Sequence, residues 1–291
     1  MAGRFLSNSE NEECYMSKSS FSYQPAQADK TDYLFSVLCV VSVLNLLTLP
    51  LTVLVAIFWT KKYQLSFLGE GFSKTVDGKK RVRILLLFLS GAGFGTFGWV
   101  LEERITQAFP VLAVPETQES SLPLVLLVGF ASALITELAF RRCLYSEWSR
   151  YGIFPAIVGI GVISMLLSKP QQWFGILALS LGAAVIYETT HCVVMTTVFH
   201  VGYLWMQSLL SALGQTNLST VIGAVALAAG VVLLIVFLKL SPDWEKVKTK
   251  IKIQQQDRQK HPYVFRASYN FFVVVLVLFQ TTPLWYSKFF S

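Results

Sequence analysis

Long apolar runs separated by short polar segments dominate the chain and predict an all-α membrane protein. Eight runs are long enough, at about 1.5 Å of rise per helical residue, to cross about 30 Å of hydrocarbon, some of them only marginally. The fourth and fifth are short enough to be tilted, broken or partly re-entrant. We therefore predict a polytopic bundle of about eight transmembrane helices, at residues 33–59, 84–101, 122–140, 153–168, 172–187, 192–213, 218–240 and 267–287.

The composition supports this class. Hydrophobic residues make up 54% of the 291 residues and charged residues only 14%, whereas soluble domains carry roughly 25% charge. The lipid bilayer is thus the predicted surrounding of a transmembrane domain at 33–291. The residues before it, 1–32, form a polar tail without the features of a cleavable signal peptide, and we expect this tail to be disordered.

The distribution of Lys and Arg predicts the orientation. On the eight-span count, 18 of these residues fall on one side of the membrane and 6 on the other. The positive-inside rule then places both termini outside a cell membrane and the basic loops, including 241–265, in the cytoplasm. The net charge of +7 comes mostly from these short juxtamembrane loops, which is typical of topology determinants and argues against a nucleic-acid partner.

Other polar and small residues give weaker signals. The four cysteines are scattered without a C-x-x-C pair, so they imply no disulfide framework. Glu188, His191 and Cys192 share a helical face and are candidate metal ligands, but they lack a fourth ligand or a partner motif. The metal and cofactor content therefore stays unknown. The glycine-rich run at 91–98 lies inside a span, where small residues indicate close helix packing.

Two polar stations inside apolar stretches carry the functional signal. The first, Thr-Glu-Leu-Ala-Phe-Arg at 136–141, closes the third span, and the second, Tyr-Glu-Thr-Thr at 187–190, is followed by His200 within the sixth span. An ionised carboxylate at bilayer depth costs roughly 2.5–3.5 kcal/mol. Taken separately, Glu137 and Arg141 read as an ion pair snorkelling to the interface, and His200 as a neutral side chain bonded to a neighbouring helix. Their similar depth below the same membrane face indicates a shared site instead.

These stations resemble motifs of the CPBP family, which contains the CAAX-processing and bacteriocin-processing intramembrane proteases. The segment from Glu137 to Arg141 is similar to the family's E-E-x-x-x-R motif. His200 follows Tyr187 by thirteen residues, as in the family's later segment. The resemblance covers 122–213 and implies a CAAX-protease-like core that cuts membrane-embedded or lipidated peptides. It further implies catalytic roles for three residues: Glu137 as general base, His200 assisting and Arg141 holding the carboxylate.

The chain also departs from the family pattern. Thr136 stands where the first of two glutamates is expected, Ser164 and Ser168 where a Phe and a His are expected, and Leu204 where an Asn is expected. A register shifted by one residue, with Arg142 as the motif arginine, is an alternative. The missing groups would position water and stabilise the oxyanion.

Three functions therefore stay open from the sequence. The departures favour a catalytically degenerate member that acts as a membrane binding or scaffold protein, or retains residual activity. The first alternative is an active intramembrane endopeptidase with Glu137 as base. The second is an unrelated small-solute transporter that uses Glu137 and His200 as a polar relay. The sequence does not identify a substrate.

Overall fold

The computed structural model describes residues 78–110, 121–145, 149, 153–213 and 219–241, with a few further positions in 53–61 and 244–249. All regular elements in these ranges are helical, which confirms the all-α prediction. A π-helical segment, Leu138–Tyr145, continues the second helix, and a short 3-10 turn, Pro170–Gln172, precedes the fourth. The α-helices are α1 (Gly78–Ala108), α2 (Leu122–Glu137), α3 (Ile153–Leu166), α4 (Trp173–Thr190), α5 (Val193–Ala212) and α6 (Thr220–Leu240).

Five stretches of the described residues are long and apolar enough to cross a membrane, which confirms a polytopic membrane bundle. They are Arg81–Ala108, Leu122–Tyr145, Pro170–Thr190, Val193–Ala212 and Thr220–Leu240. The predicted fourth span corresponds to α3, which is shorter. The predicted spans 33–59 and 267–287, the tail 1–32 and the loop 241–265 lie wholly or mostly outside the described residues. The predicted total of eight spans therefore stays a prediction.

Helix α1 lies at the centre of the described bundle and packs against α4, α5 and α6. Its glycines allow the backbones to approach closely, because a Cβ at Gly91 would overlap the Phe199 carbonyl and one at Gly95 would overlap the Tyr203 carbonyl. A Cβ at Gly93 would likewise meet the backbone of α6. The run at 91–98 is thus a packing surface, as small residues in membrane helices usually are.

Helix α1 runs antiparallel to α6, and α2 runs antiparallel to α5. Arg83, near the start of α1, donates to the Leu240 carbonyl at the end of α6 at 2.6 Å. The Trp205 indole of α5 donates to the Leu126 carbonyl in the first half of α2 at 3.0 Å. This antiparallel packing of α2 and α5 brings the end of α2 beside the first half of α5. Both polar stations and His200 consequently lie toward one end of the bundle.

The π-helical segment was not predicted and changes the interpretation of the first station. All eight of its residues are buried, and Arg141 and Arg142 are only 2% and 3% exposed. The idea of an ion pair snorkelling to the interface is therefore wrong, because both arginines point into protein. π-helical turns are rare and occur frequently at functional sites.

Candidate functional site

Glu137, Arg141 and His200 meet in one buried cluster, which we call the carboxylate cluster. The two carboxylate oxygens of Glu137 have different partners. Oε2 lies 3.2 Å from Arg141 Nε, and Oε1 lies 2.9 Å from His200 Nδ1. The side chains of Glu137 and Arg141 are both 2% exposed. An ionised buried carboxylate needs such partners, because its charge is otherwise strongly destabilising.

Arg141 also connects the carboxylate cluster to α4. Its Nη2 donates to the Ser180 carbonyl at 2.9 Å and to the Ser180 hydroxyl at 2.8 Å. The Ser180 hydroxyl in turn donates to Ser164 Oγ of α3 at 3.3 Å. Sequence reasoning did not single out Ser180 as a site residue. The available signal was a small polar residue in an apolar helix close to the second station.

A cavity of about 170 Å³ opens beside this cluster. Its volume exceeds that of several water molecules, each of which occupies about 30 Å³ in the liquid. Three of the positions that depart from the family pattern lie in its lining, whereas Leu204 packs against the hydrophobic core instead. The lining residues are Thr136, Glu137, Phe140, Arg141, Ser164, Leu167, Ser168, Ile176, Leu179, Ser180 and His200.

The arginine contacts favour one of the two registers considered for the first motif. Arg141 pairs with Glu137, as the unshifted register requires. Arg142 donates to the Tyr187 hydroxyl at 3.0 Å. The geometry therefore matches the register in which Thr136 occupies the place of the first glutamate.

The second station forms a separate contact between α4 and the π-helical segment. The Tyr145 hydroxyl donates to Glu188 Oε2 at 2.9 Å, and the rings of Tyr145 and Tyr187 meet edge to face with centroids 5.6 Å apart. In the part of the chain that is described, no three His, Cys, Asp or Glu side chains are grouped as metal ligands would be. The helical face that would group Glu188 with His191 and Cys192 is interrupted, because α4 ends at Thr190 and His191 follows it with a φ of 45°.

A comparison with protein families identifies the region that contains the site. The model of the family described as type II CAAX prenyl endopeptidase Rce1-like matches residues 118–206. This range contains every residue of the cavity lining. No curated protein and no solved structure matches the chain. The family match confirms the resemblance that the motifs predicted.

Proposed function

We propose that this protein is a catalytically degenerate member of the CAAX-protease-like group and that it binds peptides without cutting them. The premise is that residues 118–206 form a CAAX-protease-like membrane core. The ligand would be a membrane-embedded or lipidated peptide. One observation carries the proposal: both oxygens of the Glu137 carboxylate are held, by Arg141 and by His200, at 3.2 and 2.9 Å. A guanidinium in contact with a carboxylate stabilises its charged form, so this carboxylate is a weaker base toward a bound water than a free one.

The rest of the lining supports the same conclusion. Thr136, Ser164 and Ser168 contribute hydroxyl groups where the family pattern has a carboxylate, an aromatic ring and an imidazole. A hydroxyl does not accept a proton at neutral pH, so it cannot replace a general base. The lining is suited to binding nonetheless, because it combines these hydroxyls with apolar side chains, as small-ligand sites commonly do. The apolar residues are Phe140, Leu167, Ile176 and Leu179.

The location of binding follows from the charge pattern. The excess of Lys and Arg lies on the side to which α2 and α4 run and from which α5 starts, so we place the cavity near the cytoplasmic face of the cell membrane. Both termini would then lie outside. A peptide anchored in the cytoplasmic leaflet would reach the cavity laterally, without crossing the bilayer.

One observation favours the alternative of an active endopeptidase. Glu137 and His200 are in hydrogen-bond contact and both line the cavity. A carboxylate that orients an imidazole recurs in catalytic sites. In this alternative Glu137 would be the general base and His200 would assist it. It requires a water molecule between this pair and a peptide carbonyl.

An experiment that measures binding and cleavage together distinguishes the two functions. The full chain in liposomes is incubated with a fluorescent prenylated peptide, and bound peptide and cleavage products are quantified. We expect saturable binding and no product. Ser164→Leu, which fills the cavity, should weaken binding at least about tenfold, whereas Ser132→Leu, at an exposed position on α2, should leave it unchanged.

Two results would contradict the proposal. Product that forms with the wild type, and disappears in a Glu137→Gln variant that still binds the peptide, would establish the endopeptidase. Binding that is absent, or equally strong in Ser164→Leu, would show that the cavity is not a peptide site.

A further inference from the structure

Basic side chains from two distant parts of the sequence meet where α1 begins and α6 ends. The Arg83 guanidinium of α1 donates to the Leu240 carbonyl of α6 at 2.6 Å, so these two helix ends are neighbours. Arg81 and Lys239 flank this contact along the two helices, and both side chains are exposed. We call Arg81, Arg83 and Lys239 the basic surface. None of the three lines the cavity beside Glu137.

The described residues do not balance the charge of the basic surface. In the part of the chain that the structure describes, Glu245 is the only exposed acidic side chain at this end of the bundle. It already pairs with Lys248 at 2.7 Å. The first turn of α1 contains no acidic residue, although the positive end of a helix dipole favours negative charge. The dipole of α1 and the basic side chains therefore add to one positive potential, which attracts an anion.

Exposed apolar side chains continue from the cations along the same helical faces. Leu85 and Leu89 follow Arg81 at four-residue intervals, so they lie on its face of α1, and they are 57% and 44% exposed. Ile235 precedes Lys239 by four residues on α6 and is 46% exposed. Both helices belong to segments that are long and apolar enough to cross a membrane. A cation above an apolar stripe matches an amphiphile, with an anionic group at the interface and chains in the hydrocarbon.

We infer that the basic surface binds a phospholipid with an anionic headgroup. The headgroup contacts Arg81, Lys239 and the outer N–H groups of Arg83, which has five donors in all. The acyl chains lie along the exposed stripes that contain Leu85 and Ile235. On the predicted orientation this end of the bundle faces the cytoplasm, where anionic lipids attract juxtamembrane cations. Each cation near such a surface strengthens binding about fivefold.

A competition between two phospholipids tests the inference. The full chain in uncharged detergent micelles is offered equal amounts of phosphatidylserine and phosphatidylcholine with the same acyl chains, and the retained lipid is counted by native mass spectrometry. We expect phosphatidylserine to be retained in preference by at least about tenfold, since the basic surface carries several cations. Equal retention of the two lipids overturns the inference. Glycerophosphoserine, which has the same headgroup without acyl chains, should not displace phosphatidylserine when added at the same concentration. Displacement would show a site for soluble anions and would overturn the assignment to a lipid.

Two double variants with the same loss of charge locate the site. Arg81→Gln with Lys239→Gln changes two exposed side chains of the basic surface, and the preference for phosphatidylserine should fall at least about fivefold. The control is Arg104→Gln with Lys169→Gln, two exposed cations at the other end of the bundle. There the 3-10 turn after Lys169 contacts the last part of α1, because Gln172 donates to a carboxylate of that helix at 3.0 Å. The control should keep the wild-type preference. An unchanged preference in the first variant, or an equal fall in both, would show that the basic surface is not the lipid site.

Discussion

Removing Arg141 provides a demanding test of the buried carboxylate cluster. Arg141→Met keeps much of the side-chain length but removes the guanidinium. It leaves the Glu137 carboxylate buried without its cation and removes both hydrogen bonds to Ser180. We expect a large loss of stability, because the side chains of Glu137 and Arg141 are both only 2% exposed and the variant leaves a buried carboxylate without its cation.

The expected magnitude follows from the contacts. Breaking a buried ion pair by removing one partner costs about 3–5 kcal/mol. Each hydrogen bond of a charged group contributes about 1.5–3 kcal/mol, so the contacts of Arg141 are sufficient for a loss of this size. Glu137→Gln leaves the Arg141 guanidinium buried without its anion, so it should lower the free energy of unfolding by a similar amount. The double variant leaves neither charge unpaired, so its loss in free energy of unfolding should be no larger than that of either single variant. The coupling energy between the two positions is therefore predicted to be at least about 3 kcal/mol.

The assay is a double-mutant cycle on unfolding in mixed micelles, followed by the fluorescence of the tryptophans. A matched control is the surface pair Glu245 and Lys248, whose side chains are 78% and 48% exposed at a distance of 2.7 Å. Its cycle, Glu245→Gln with Lys248→Met, should give a coupling below about 1 kcal/mol. Additive losses at Glu137 and Arg141, or a loss below about 1 kcal/mol for Arg141→Met, would show that these side chains do not form a buried, energetically coupled ion pair.

Three further predictions use the same unfolding measurement. Gly91→Ala should destabilise the protein, because its Cβ would overlap a backbone carbonyl of α5. Gly129→Ala, whose Cβ has its nearest contact at 3.8 Å, should be neutral or stabilising. Equal effects of the two substitutions would contradict the close packing of α1 against α5. Tyr145→Phe removes a 2.9 Å hydrogen bond to buried Glu188 and should cost about 1–3 kcal/mol; an unchanged stability would show that this contact contributes nothing. His200→Phe deprives the Glu137 carboxylate of a partner at 2.9 Å and should also cost about 1–3 kcal/mol; a more stable variant would contradict the role of His200.

Among the described residues, the apolar pattern was sufficient to predict the membrane helices. The predicted spans 192–213 and 218–240 differ by at most two residues at each end from α5 and α6. Long apolar runs predict helices reliably in lipid, because every backbone N–H and C=O group must be hydrogen-bonded within the segment. Glu137 and His200 could be singled out for a similar reason, because a titratable side chain inside an apolar run needs a partner.

The details of the site depend on contacts far apart in sequence, and the sequence did not predict them. The π-helical segment directs Arg141 to Ser180 and Arg142 to Tyr187, which are 39 and 45 residues away. No local pattern encodes such partners. Ser180 was missed for a related reason: a serine in an apolar helix can bond its own backbone, so its residue type does not predict a side-chain partner.

Mass spectrometry of a covalent adduct tests directly whether the cavity binds a peptide without cutting it. A prenylated peptide with a photoreactive group near its C-terminus is incubated with the full chain in liposomes, irradiated and digested. We expect the attached peptide to be intact and the attachment to occur on the apolar cavity residues Leu167, Ile176 or Leu179. A shortened peptide would contradict the absence of cleavage. Attachment confined to the exposed face of α6, at residues such as Val221 or Val225, would contradict the cavity as the binding site.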